Sequence, residues 1–139
     1  MKQWLYALCC LPLLYRPLTD IVRPNPIGRW KPEHFERIAY SPEGELLRRD
    51  SLDRDAKAFT ELIITDKTVT YRLTEPNAPI VQSYRQQADT LLLSLKPDKG
   101  VMKLLIKYLD PHHLTLRLTE TQTIGPRHYR IEFDTYLVR

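Results

Sequence analysis

Past residue 10 the chain contains no cysteine. Its two cysteines, Cys9 and Cys10, are adjacent inside an N-terminal apolar run, where structural bridges seldom form. The body of the protein therefore has no disulfide framework, no thiolate nucleophile and no cysteine metal ligand. Glycine is almost as scarce: four residues, at 28, 44, 100 and 125, are too dispersed to make a phosphate-cradling loop. Three Phe and two Trp stand against eight Tyr, so the core has to be aliphatic and tyrosine-rich. Acids are missing from residues 1–18, where Lys2 and Arg16 lie, and without that segment 19 basic residues face 17 acidic ones. The remaining cations alternate with acids and threonines, whereas phosphate recognition needs them clustered, so no nucleic-acid partner is expected.

What the chain does have begins with a leader. Met1-Lys2-Gln3 and the apolar residues 4–14 give the positive start and the apolar core of a bacterial secretory signal. The run is too short for a comfortable membrane span. No small-x-small cleavage site follows, and the residues before Cys9 and Cys10 fit a lipoprotein box poorly. An uncleaved anchor and an apolar arm packed on the domain are the alternatives. The expectation for residues 1–18 is a signal peptide or N-terminal anchor, with the protein secreted, periplasmic or attached to the cell envelope. Contact with a membrane is expected only through this segment. Residues 19–27 belong to a stretch holding Pro17, Pro24, Pro26 and Pro32. They read as an extended lead-in, and up to Pro32 neither helix nor central strand is expected. Residues 28–139 then make one domain, since 139 residues suffice for one core and are short for two.

Within that domain the two-residue rhythm of strands dominates. Leu91, Leu93 and Leu95 share one face; so do Leu114, Leu116 and Leu118, against Thr115, Arg117 and Thr119. Val69, Tyr71 and Leu73 oppose Thr70, Arg72 and Thr74, after an Asp66-Lys67 turn. Residues 80–86 and 128–138 read as further strands, and residues 121–127, with Gly125-Pro126, as a loop. Phe35, Ile38 and Tyr40 are spaced between helix and strand, residues 41–44 make a turn, and residues 45–52 read as a short polar edge strand. Residues 53–55 read as a loop. The fold class predicted is all-β: an antiparallel up-and-down meander closing into a barrel of about eight strands. Short nearest-neighbour turns favour this topology, and eight is the number at which a barrel encloses its own side chains or one small ligand.

A leader, a proline-rich lead-in, Gly28-x-Trp30 and Leu-x-Leu strands joined by Asp-Lys-type turns make residues 27–139 resemble the lipocalin-like proteins that bacteria, notably Bacteroidetes, export to the cell envelope. The resemblance implies a tryptophan at the closed end of the barrel, covered by an arginine from near the end of the chain. Trp30 would be that tryptophan, and Arg139 or Arg130 its cover. No Thr-Asp-Tyr triplet lies between late strands and no helix follows the last one, features shared by the small bacterial members.

Candidate chemistry is sparse. His112-His113 with Asp110 offers one carboxylate and two side chains that point apart, so a solvated turn is expected and no metal. His34, His128 and Asp134 lack a nucleophile motif and an oxyanion loop, and neither catalytic residues nor a cofactor is expected. Three tyrosines are cavity candidates. Tyr71 is on the apolar face of its strand; Tyr84 and Tyr108 are on strands with apolar residues in both registers, and the pattern does not choose their faces. As lining they would give an apolar wall with a few polar tips. Residues 101–109 are apolar on both faces, which predicts an outside cover from the N-terminal arm, a protein partner or a second copy. The leading expectation is an exported module that binds a small apolar or amphipathic ligand. The alternatives are an interaction protein with a filled barrel, and an enzyme using His34 or His128 beside a carboxylate in a pocket.

Overall fold

The computed structural model describes residues 24–52, 59–74, 76–95 and 99–139. The leader, the lead-in as far as residue 23 and the loop at 53–55 lie outside the described residues. Nine strands are present, and no helix occurs among the described residues. In order they are β1 (Gly28–Tyr40), β2 (Leu46–Leu52), β3 (Glu61–Ile64), β4 (Thr68–Arg72), β5 (Ile80–Gln87), β6 (Thr90–Ser94), β7 (Val101–Leu109), β8 (His113–Ile124) and β9 (Arg127–Val138). All pairings are antiparallel. Strands β3 to β9 follow one another as a meander, and β1 closes the ring by pairing with β3 through residues 28–30 and with β9 through residues 31–40. Strand β2 pairs with β1 alone among the described strands, so the closed wall has eight strands and is lipocalin-like.

Two sequence expectations change. Residues 121–127 are not a loop: β8 runs to Ile124, β9 starts at Arg127, and only Gly125-Pro126 turns. Gly125 has φ 59°, and glycine at the first central position followed by proline suits a type II′ hairpin turn, which matches the strand twist and lets the ladder continue to its tip. Pro32 sits inside β1. It falls between the stretch paired with β3, which ends at Trp30, and the stretch paired with β2, which starts at Phe35, at a shift in register against β9. Its missing N–H therefore lies where the ladder is already interrupted.

Alternation places the apolar residues inside. Leu91, Leu93, Val69, Ile64, Leu114, Leu137 and Trp30 are fully buried at one end, and they form the floor of the barrel. Residues 24–27 are tied to this floor. The Trp30 indole Nε1 donates to the Pro26 carbonyl at 2.8 Å, and Gln86 Nε2 donates to the Pro24 carbonyl at 2.6 Å.

On the outer wall two carboxylates, Asp134 and Glu132, are buried as well, and Arg117 pairs with both. Asp134 accepts from Arg117 Nε at 2.6 Å, Arg117 Nη2 at 2.7 Å and Lys107 Nζ at 2.7 Å, so that β7, β8 and β9 share one carboxylate. Burial alone would push the Asp134 carboxyl upward. The hydrogen bonds from Arg117 and Lys107 outweigh it and hold the group below its ordinary range.

Candidate ligand cavity

Above the floor the barrel is not filled. A cavity of about 420 Å³ opens between the inward faces, within the size range of small-molecule sites. Its walls are the next inward positions of the strands that build the floor. Strands β7 and β8 supply Met102, Leu104, Leu116 and Leu118; β1 and β9 supply Phe35, Phe133 and Thr135. Phe59, just ahead of β3, lies across these with edge-to-face contacts to Phe35 at 5.9 Å and Tyr71 at 5.3 Å. Ile80, 47% exposed, and Leu73 stand at the mouth.

The three candidate tyrosines go to three different places. Tyr71 lines the cavity, and burial alone raises its phenol to about 12. Tyr84 packs against the core near the floor instead, where its hydroxyl donates to the Thr65 carbonyl at 2.7 Å and fastens the β3–β4 turn to β5. Tyr108 is outside and 54% exposed, with its hydroxyl on Asp110 Oδ2 at 2.8 Å. The reason is a bulge. Ile106 pairs with Leu116 but Tyr108 pairs with Thr115, so Lys107 is the extra residue and the inward phase passes from Ile106 to Leu109.

The same bulge accounts for part of the two-sided apolarity of β7. Outward on this strand are Val101, 54% exposed, Leu105 and Tyr108, separated by Lys103 and Lys107. Leu92 on β6 also faces outward and is buried, flanked in register by Arg85 and Lys103, whose stems are long enough to cover it.

At the floor the Arg139 guanidinium lies 4.0 Å from the Trp30 ring centroid. Arg130, the other arginine considered for that place, instead lies over Tyr40 at 4.2 Å. Gly28 makes the Trp30–Arg139 stack possible: a Cβ there would stand 3.0 Å from Arg139 Cζ, and φ is +150°.

The histidines stay apart from the cavity. His34 stacks on Tyr136 at 4.0 Å on the outer face, and His128 meets Thr123 Oγ1 at 3.0 Å near the tip of the β8–β9 hairpin. Six residues of strand, about 20 Å, separate His128 from Asp134. In the β7–β8 turn Asp110 accepts from the backbone N–H groups of His112 and His113, both at 2.7 Å, and these bonds hold its carboxyl well below the usual range. Among the described residues no group of three or more His, Cys, Asp or Glu side chains is placed to hold a metal ion.

Sequence reasoning did not single out Phe35, Phe59, Met102, Phe133 or Gln82 as lining. For Gln82 a signal existed: it shares strand parity with Ile80 and Tyr84. A lone glutamine in an alternating strand nevertheless reads as a solvent-facing residue. No family model, no curated protein and no solved structure matches this chain.

Proposed function

We propose that the protein is an exported binding module of the cell envelope whose barrel holds a small apolar or amphipathic molecule. The observation that carries this reading is the cavity: about 420 Å³ of space walled by Phe35, Phe59, Tyr71, Leu104, Leu116 and Phe133 in a fold whose other end is packed solid. A barrel serving only as scaffold gains stability by filling such a space, because each missing methylene costs packing energy. The leader in residues 1–18 supports export. An interaction role for the outside of β7 has less behind it, because Lys103 and Lys107 alternate with its outward apolar residues along the strand.

The test is titration of the protein with N-phenyl-1-naphthylamine, a neutral apolar fluorophore. Saturable binding at one site is expected, abolished by Met102→Trp, which fills the cavity from β7. Absence of saturable binding to a folded protein, or unchanged binding to Met102→Trp, would overturn the reading.

A further inference from the structure

Two polar side chains, Gln82 and Tyr71, stand close together in a cavity wall whose one other polar member among the described residues is Thr135. Gln82 pairs with Val69 and Tyr71 with Ile80, so Gln82 and Tyr71 are diagonal neighbours on the inward faces of β4 and β5. Gln82 Oε1 is buried and has no hydrogen-bond partner among the described residues. The phenol of Tyr71 is raised by burial alone, with no hydrogen bond contributing. A buried amide oxygen left unbonded costs free energy that an apolar side chain of the same shape would avoid. No charged side chain is among the described residues that line the cavity.

We propose that Gln82 and Tyr71 form the polar end of the ligand site, and that the ligand is a neutral apolar molecule bearing a hydroxyl group rather than an ionised carboxylate. This rests on the barrel being a small-molecule binder. A hydroxyl both donates and accepts. It gives its proton to the Gln82 carbonyl and takes one from the Tyr71 phenol, and it satisfies the amide in either flip orientation. An ionised carboxylate only accepts, leaves Oε1 unbonded, and enters apolar surroundings with no cation to meet it. A pure hydrocarbon fits the walls and leaves both polar groups as they are.

Three rigid probes of similar size separate these cases: naphthalene, 2-naphthol and 2-naphthoate, titrated at pH 7 into the full-length protein by calorimetry. The expected result is 2-naphthol bound at least tenfold more tightly than either of the others. Gln82→Leu is expected to weaken 2-naphthol about tenfold, to bind naphthalene more tightly than the parent does, and to melt at a higher temperature. Tyr71→Phe is expected to reduce the preference for 2-naphthol several-fold. Equal affinities for naphthalene and 2-naphthol, tighter binding of 2-naphthoate, or a preference untouched in folded Gln82→Leu overturns the hydroxyl assignment while the cavity reading stands. No binding of any probe to parent or variant overturns the cavity reading itself.

Discussion

The guanidinium of Arg139 covers the indole of Trp30 at 4.0 Å, and its Nη2 donates to the Ile27 carbonyl at 3.0 Å. One side chain thus joins the last strand, the first strand and the segment before it. Arg139→Ala removes a cation–π contact and a hydrogen bond, each on the order of 1 kcal/mol, and is expected to lower stability by about 1–2 kcal/mol in denaturant titration. Gly28→Ala is expected to cost at least as much, because it strains the backbone at φ +150° and presses a methyl group on the same guanidinium.

The Asp134 cluster makes an acid-sensitive clamp. Its carboxyl is depressed in the folded protein by Arg117 and Lys107, so the folded state binds that proton later than the unfolded chain does as pH falls. The stabilisation is fully present above the unfolded carboxylate range near pH 4 and is lost as pH falls through the lower native value. Denaturation midpoints measured from pH 7 downward are expected to show this loss in the parent and less of it in Asp134→Asn. Arg117→Met, which leaves buried Asp134 with Lys107 alone and buried Glu132 with Arg130 alone, is expected to cost at least about 3 kcal/mol at pH 7.

The three tyrosines sort by what their hydroxyls touch. Tyr84→Phe leaves the Thr65 carbonyl without its donor and is expected to cost about 1 kcal/mol. Tyr108→Phe loses an exposed contact and is expected to leave stability unchanged. Tyr71→Phe is expected to be neutral or stabilising in thermal melts, since burial is the only influence on its phenol and no hydrogen bond is lost with it.

Tyr71 also predicts an alkaline signature. Its phenol is raised to about 12 in the folded protein, above the value near 10 of an unfolded chain. Between pH 10 and about 12 the unfolded chain gives up this proton before the folded protein does, so stability falls as pH rises through that window and is unaffected by this group below it. Tyr84, Tyr108 and Tyr136 are raised as well, so ultraviolet titration of the folded protein is expected to show several late tyrosines, and Tyr71→Phe is expected to abolish the step at about 12.

Ala88 offers a stabilising change. In the two-residue turn between β5 and β6 it has φ 53°, a conformation that costs an L-residue about 1–2 kcal/mol. Ala88→Gly is expected to raise the melting temperature, unlike most glycine substitutions.

The sequence reveals the barrel through residues whose alternation is unbroken. Leu91, Leu93, Leu114 and Leu116 all point inward, and parity alone predicts it. Where a local device interrupts parity, the reading stops. The bulge at Lys107 sends Tyr108 outward, and a bulge is set by pairing with β8 rather than by anything in residues 101–109. Pro32 reads as a breaker because its tolerance depends on the gap between the β2 and β3 pairings. The cavity is less legible still. An empty space results from side chains that stop short of one another across several strands, and no one strand's pattern records it. Gln82 shows this: its parity with Ile80 and Tyr84 hints at an inward side chain, and its pairing with Val69, beside Tyr71, is what settles it.

Closure between β1 and β9 bears on the time course of folding. Every other pairing joins strands that are one or two apart along the chain, and such contacts form within microseconds to milliseconds of collapse. The β1–β9 seam instead brings residues 31–40 to residues 130–138, so its loop-closure entropy has to be overcome across the whole domain. The seam is therefore expected to form after the hairpins. Arg139 over Trp30 acts as its latch, and weakening that latch speeds unfolding while leaving the early hairpins to form at their own rate.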